Sequence, residues 1–127
     1  MGIIGETNTF GADSAGLFLL IDAAGPLVQT ALWSDGAWLR WIGSREEAGR
    51  SVFAGVQEIF RSEGISLKNL SGFFFCEGPG SMLGVRIAAM AIRGWQTMLD
   101  NPLPIFAYNS HALLARILLA DSVSPPF

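Results

Sequence analysis

The sequence predicts an α/β domain on a mixed five-stranded sheet, with elements in the order β-β-β-α-β-α-β-α. Three observations lead there. Two apolar runs, 27–33 and 37–42, flank Ser34-Asp35-Gly36. Asp-Gly between such runs signals a hairpin, because both residues tolerate the positive φ of the turn. Phe73, Phe74 and Phe75 form an unbroken apolar run that enters a Gly/Pro turn and then a long apolar segment. A strand with one wet face would alternate, so this one is expected to be covered on both faces. From Ser44 onward helix and strand patterns alternate, which puts helices on the faces of a sheet with parallel strands.

The elements follow in order. Residues 1–16 are rich in Gly, Thr, Asn and Ser, lack periodicity, and read as a flexible leader. Leu17–Ile21, ending at Asp22, suits a buried central strand, and Ala23-Ala24-Gly25-Pro26 a turn. The hairpin strands are Leu27–Trp33 and Ala37–Ile42; Trp33, Trp38 and Trp41 cluster there, for packing or for ligand binding. Ser44 with Glu47 three residues on is a capping box that starts a helix. Val52, Phe53, Val56, Ile59 and Phe60 share one face of it, Glu46, Glu47, Arg50, Glu58 and Arg61 form the solvated face, and Gly64 ends it. After the phenylalanine strand, Ser81 or Gly80 caps a helix from about Met82 to Leu99. Pro104–Tyr108 is a fifth strand, and Asn109 or Ser110 caps a last helix with Leu113, Leu114, Ile117 and Leu118 inward. Residues 121–127 are a proline-containing tail, which leaves 17–120 as a single domain. This order of elements is ribonuclease-H-like.

Composition narrows the function. The chain has 127 residues, 50% of them hydrophobic and 15% charged, with a net charge of −3. That is apolar for an exposed monomer and favours association. No block of lysine and arginine exists, so a direct grip on nucleic acid is not expected. No stretch is long and apolar enough to span a membrane, and the start lacks the pattern of a secretion signal. Cys76 is the single cysteine, which excludes an internal disulfide and suits a reducing compartment. A cytoplasmic location is the expectation.

The helix at 82–99 is unusual. Apolar side chains cover most of its circumference, and Arg86, Arg93, Thr97 and Asp100 form one narrow polar stripe. Such a helix is buried on more than one side, either as a central core helix or against a partner. Gly84, Ala88 and Ala91 leave room for close approach.

The junction Gly78-Pro79-Gly80-Ser81-Met82-Leu83-Gly84 is a strand-turn-helix turn, a place where α/β proteins put anion sites. It carries no phosphate-loop signature: no lysine follows Gly84, position 83 is Leu, and Glu77 adds negative charge. Asp22, at a strand end, is the one weak catalytic candidate; its other reading is a turn cap. His111 is the only histidine; Ser110 is its neighbour in sequence but would not face it on a helix, and Ser81 has no evident base. A Cys76–His111 pair has no supporting pattern, and no His/Cys cluster suggests zinc.

Leu19-Leu20-Ile21-Asp22 on the first strand, and Gly78-Pro79-Gly80-Ser81-Met82-Leu83-Gly84-Val85-Arg86-Ile87 before the long helix, resemble the N-terminal domain of the TsaB (YeaZ) family. This family belongs to the actin-like ATPase superfamily and is related to proteins once called glycoproteases or M22 peptidases. The resemblance spans about residues 17–120. It implies an actin-like domain and a non-catalytic subunit that docks a TsaD-type catalytic protein in making threonylcarbamoyladenosine on tRNA. The implied docking surface is Val52, Val56, Ile59 and Phe60 on one helix with Arg86, Met90 and Arg93 on the next. The chain departs from the family pattern at Ala23, Ala24, Ala48 and Met82-Leu83. It also stops where a second actin-like domain is expected; two lobes enclose a nucleotide, so no cofactor is expected. A heterodimer with a TsaD-type protein and a homodimer both remain open. So do a self-associating paralogue without the tRNA role and a peptidase or phosphotransferase using Asp22.

Overall fold

The structure is a computed structural model and describes residues 16–109. The elements are β1 (Leu17–Asp22), β2 (Val28–Ser34), β3 (Ala37–Ser44), α1 (Ala48–Glu63), a 3-10 turn (Leu67–Asn69), β4 (Gly72–Cys76), α2 (Met82–Gln96) and β5 (Ile105–Tyr108). Strands lie in the order β3-β2-β1-β4-β5. β1, β2 and β3 pair antiparallel, while β1 with β4 and β4 with β5 are parallel. The mixed five-stranded sheet is therefore the expected one. The expected final helix, the tail, His111 and nearly all of the leader fall outside the described residues.

Local chemistry explains the boundaries. Asp35 and Gly36 have φ of 50° and 81°, the paired left-handed conformation a two-residue hairpin needs. Gly64 ends α1 in the same region, at φ 65°. The capping box at Ser44 does not form. Ser44 pairs with Val28 and is still in β3, so its backbone is extended. Its hydroxyl accepts from the Glu46 amide and from Ser51 Oγ. Glu47 caps α1 instead, accepting from the Arg50 amide at 2.8 Å. α2 stops at Gln96 rather than Leu99. The Gln96 side chain both donates to the Leu103 carbonyl and accepts from the Leu103 amide, each at 2.7 Å, which turns the chain toward β5.

The core lies on both sides of the sheet. On one face Leu19, Ile21, Val28, Leu32 and Phe73 meet Val52, Val56 and Ile59 of α1 and Ala88, Ala91 and Ile92 of α2. On the other, Phe18, Leu20, Ala31, Trp33, Phe74, Cys76 and Tyr108 form a second buried cluster. Phe73 and Phe74 thus point to opposite buried faces, which is why the run is continuous. Phe18 stacks on Phe74 at 5.4 Å, and Trp33, Trp38 and Trp41 extend this aromatic layer edge-to-face. Trp33 is buried in this layer, while Trp38 and Trp41 lie at its exposed end, 41% and 48% exposed. α1 comes close to β2 at one point: a Cβ on Gly55 would strike the Thr30 side chain.

Candidate functional site

The carboxyl ends of the parallel strands β1, β4 and β5 bring Asp22, Cys76 and Tyr108 to one edge of the sheet. In open α/β sheets this edge is where ligands bind. Asp22 Oδ1 accepts from the Ala24 amide at 3.1 Å, the turn-capping role of an Asx residue. Its Oδ2 accepts from the Tyr108 hydroxyl at 3.3 Å. Burial, and then the negative charge of Asp22, push the Tyr108 phenol well above its ordinary 10.0.

The Gly/Pro junction packs against the same edge. The Gly78–Pro79 bond is cis, and Gly78 and Gly80 have φ of 116° and 155°. The Ser81 amide donates to the Ala24 carbonyl at 2.6 Å. Ser81 Oγ accepts from the Gly84 amide at 3.0 Å, so Ser81 is the cap of α2, as its position before the apolar run implies. A Cβ at Gly80 would meet the Ala24 carbonyl, and one at Gly84 the Ala23 carbonyl. The glycines thus seat the start of α2 directly on the turn after β1.

Two open clefts flank this contact. One of about 310 Å³ is lined by Asp22, Gln29, Arg45 and Pro79. The other, about 580 Å³, is lined by Glu46, Gly80, Ser81, Leu83 and Gly84. Ala24, Gly25 and Pro26 border both. Part of this lining is already committed within the protein. The amides of Ser81 and Gly84 are spent on Ala24 and Ser81, and Ala23 and Ala24 offer no hydroxyl. Both Asp22 oxygens already accept bonds, and Glu46 adds negative charge. Among the described residues, no three His, Cys, Asp or Glu side chains gather as a metal would require.

The second candidate surface is the outer side of the two helices. Val52 and Ile59 are 0% exposed and Val56 is buried, all within the core under the sheet. This corrects the expectation that these three side chains form a docking surface: an apolar stripe repeating every three or four residues marks the helix face that meets its own sheet first. Phe60 is half-buried beside them. Arg86, Met90 and Arg93 are exposed on α2. The sequence reading missed Phe53, Met82 and Leu83. Phe53 is 51% exposed, and its ring meets Trp95 of α2 at 5.7 Å, bridging the helices. Leu83 and Met90 are each 67% exposed. The available signal was Phe53 standing one position off the 52/56/59 stripe.

Comparison with known proteins locates the fold. No protein-family model matches the chain, and no curated protein matches it. Among solved structures, YeaZ from Pseudomonas aeruginosa superimposes with a TM-score of 0.71 and 23% identity, covering 84% of this chain and 49% of that one. A second, an uncharacterized protein with similarity to peptidase YEAZ from Pseudomonas aeruginosa, gives a TM-score of 0.69 at 23% identity, with coverage of 84% and 49%. The fold is YeaZ-like, and the chain spans about half the length of these two structures. Among the described residues no helix is long and apolar enough to cross a membrane.

Proposed function

We propose that this YeaZ-like chain is an interaction subunit without chemistry of its own. It docks a TsaD-type catalytic protein through the outer face of α1 and α2, and so serves threonylcarbamoyladenosine formation on tRNA. The observation that carries this reading is the exposed group Phe53, Leu83 and Met90, on helices whose opposite faces are already packed on the sheet. Large apolar side chains left exposed on neighbouring helices favour a protein contact. Covering each contributes roughly 1–2 kcal/mol. The strand edge supports the same reading, since its polar groups bond to one another. With a net charge of −3, contact with tRNA belongs to the partner.

The test is calorimetry and light scattering of the full chain with the TsaD-type protein of the same cell. A one-to-one complex is expected. A chain that stays monomeric and binds nothing at micromolar concentration overturns the reading; a tight homodimer that excludes the second protein would replace it with self-association.

A further inference from the structure

We infer that two copies of this chain pair through the outer side of β3, joining their sheets across a two-fold axis at Ile42. The inference is independent of the docking role proposed above and leaves the outer face of α1 and α2 open. Among the described residues β3 is an end strand of the sheet. Such a strand presents unpaired amides and carbonyls, and proteins commonly blunt it with lysine, proline or brevity. β3 has eight residues, Ala37–Ser44, with no lysine or proline and Arg40 as its one charge. Trp38, Leu39 and Trp41 are exposed on it. Trp38 pairs with Trp33 and Arg40 with Leu32, so Leu39 is the extra residue of a bulge. The regular ladder runs from Arg40 to Ser44, and its middle residue is Ile42.

This stretch is complementary to itself. An antiparallel pair centred on Ile42 sets Trp41 of each copy opposite Gly43 of the other, and Arg40 opposite Ser44, with Cα atoms about 4.5–5.5 Å apart. Trp41 and Gly43 share the face of their β2 partners Ala31 and Gln29. The Trp41 ring is already fixed there. It meets Trp38 edge-on at 4.7 Å, and its Nε1 donates to Gln29 Oε1 at 2.7 Å, so little freedom is lost when it is covered. Gly43 leaves the opposing position without a side chain of its own. The exposed Leu27 lies beside it, its Cδ1 3.2 Å from where a Cβ would stand. Each Trp41 thus covers a strand glycine and Leu27 of the other copy, a favourable aromatic–glycine pairing. On the opposite face, Arg40 of one copy comes to Ser44 of the other. Glu46 lines a cleft of about 190 Å³ there, with Ile42 and Ser44, and offers the arginine a carboxylate. Any other centre engages fewer of the ladder residues, and one at Arg40 also opposes like charges. α1 packs over β2 and β3. The two β2 strands of the pair lie about 14 Å apart, which clears two helices about 10–12 Å wide.

Light scattering of the full chain from about 1 μM to about 500 μM tests the pairing, since a small contact gives weak association. The mass should rise toward twice the chain's 13.6 kDa. Trp41→Lys should weaken the dimer about 10-fold or more, and Leu27→Lys should weaken it less, whereas Met90→Glu on α2 should leave it unchanged. Melting curves confirm that each variant folds. Ile42→Cys should form a disulfide-linked dimer under mild oxidation, because the two Cα atoms face each other across the axis. Met98→Cys, exposed beyond the end of α2, should not. A chain that stays monomeric throughout, with no link in Ile42→Cys, overturns the inference. So does a dimer that Met90→Glu dissolves and Trp41→Lys leaves intact, and so do assemblies larger than two copies.

Discussion

The Tyr108 hydroxyl donates to Asp22 Oδ2 at 3.3 Å, joining residues 86 positions apart and tying the end of β5 to the end of β1 across β4. It is the one described contact in which the weak catalytic candidate of the sequence meets another side chain. Asp22 thereby serves as an anchor for the turn and for the sheet edge.

Tyr108 is the sole tyrosine, so phenolate absorbance reports this group alone. Its folded pKa is raised from 10.0 by burial first and by Asp22 next. The unfolded chain therefore loses the proton first: stability is unaffected below about pH 10 and falls as pH climbs beyond it. No phenolate signal should develop before the protein unfolds. Tyr108→Phe should remove that alkaline dependence and cost about 1 kcal/mol at neutral pH. A phenol that titrates near pH 10 in the folded chain sinks this account of the edge.

Gly84 and Gly94 make a contrasting pair within α2. A methyl at Gly84 meets the Ala23 carbonyl, whereas one at Gly94 meets nothing within 4 Å. Gly84→Ala should destabilise by about 2–3 kcal/mol, because the start of the helix must lift off the turn. Gly94→Ala should stabilise by about 0.5–1 kcal/mol through helix propensity. Urea titrations of both variants read this directly, and equal effects would show that α2 does not sit on the β1 turn as described.

Thr30 and Gly55 offer a similar check between α1 and β2. Thr30 Oγ1 is buried without a hydrogen-bond partner, and a Cβ on Gly55 would strike it. Thr30→Val should leave stability unchanged or raise it by up to about 1 kcal/mol, since no bond is lost. Gly55→Ala should destabilise, and Thr30→Ala should recover part of that loss in the double variant. Strict additivity of the two changes would mean that the residues do not touch.

Much of this architecture was legible in the sequence because local chemistry and tertiary structure agree there. Asp35-Gly36 can hardly do other than turn, the phenylalanine run needs two covered faces, and Ser81 precedes a helix it is suited to cap. Ser44 shows the limit. Its spacing to Glu47 satisfies a capping box, but pairing with Val28 holds it in the strand, and no local pattern reports a long-range ladder. The proposed docking face shows a second limit. Val52, Val56 and Ile59 are the most regular apolar stripe of α1, and regularity identifies the side that meets the sheet. The exposed Phe53 sits off that stripe and the exposed Leu83 belongs to α2, and their availability depends on how far apart α1 and α2 lie, which only the assembled sheet sets.

The central claim is that the α1–α2 outer face, and not the strand edge, is where this chain meets its partner. Hydrogen exchange of the full chain, alone and with the TsaD-type protein, tests it most directly. The account predicts new protection in peptides covering residues 50–61 and 82–97, lost in Met90→Glu, with the turn at 22–27 unchanged. Protection centred on 22–27 and 105–109, with α2 exchanging as in the free chain, would contradict it.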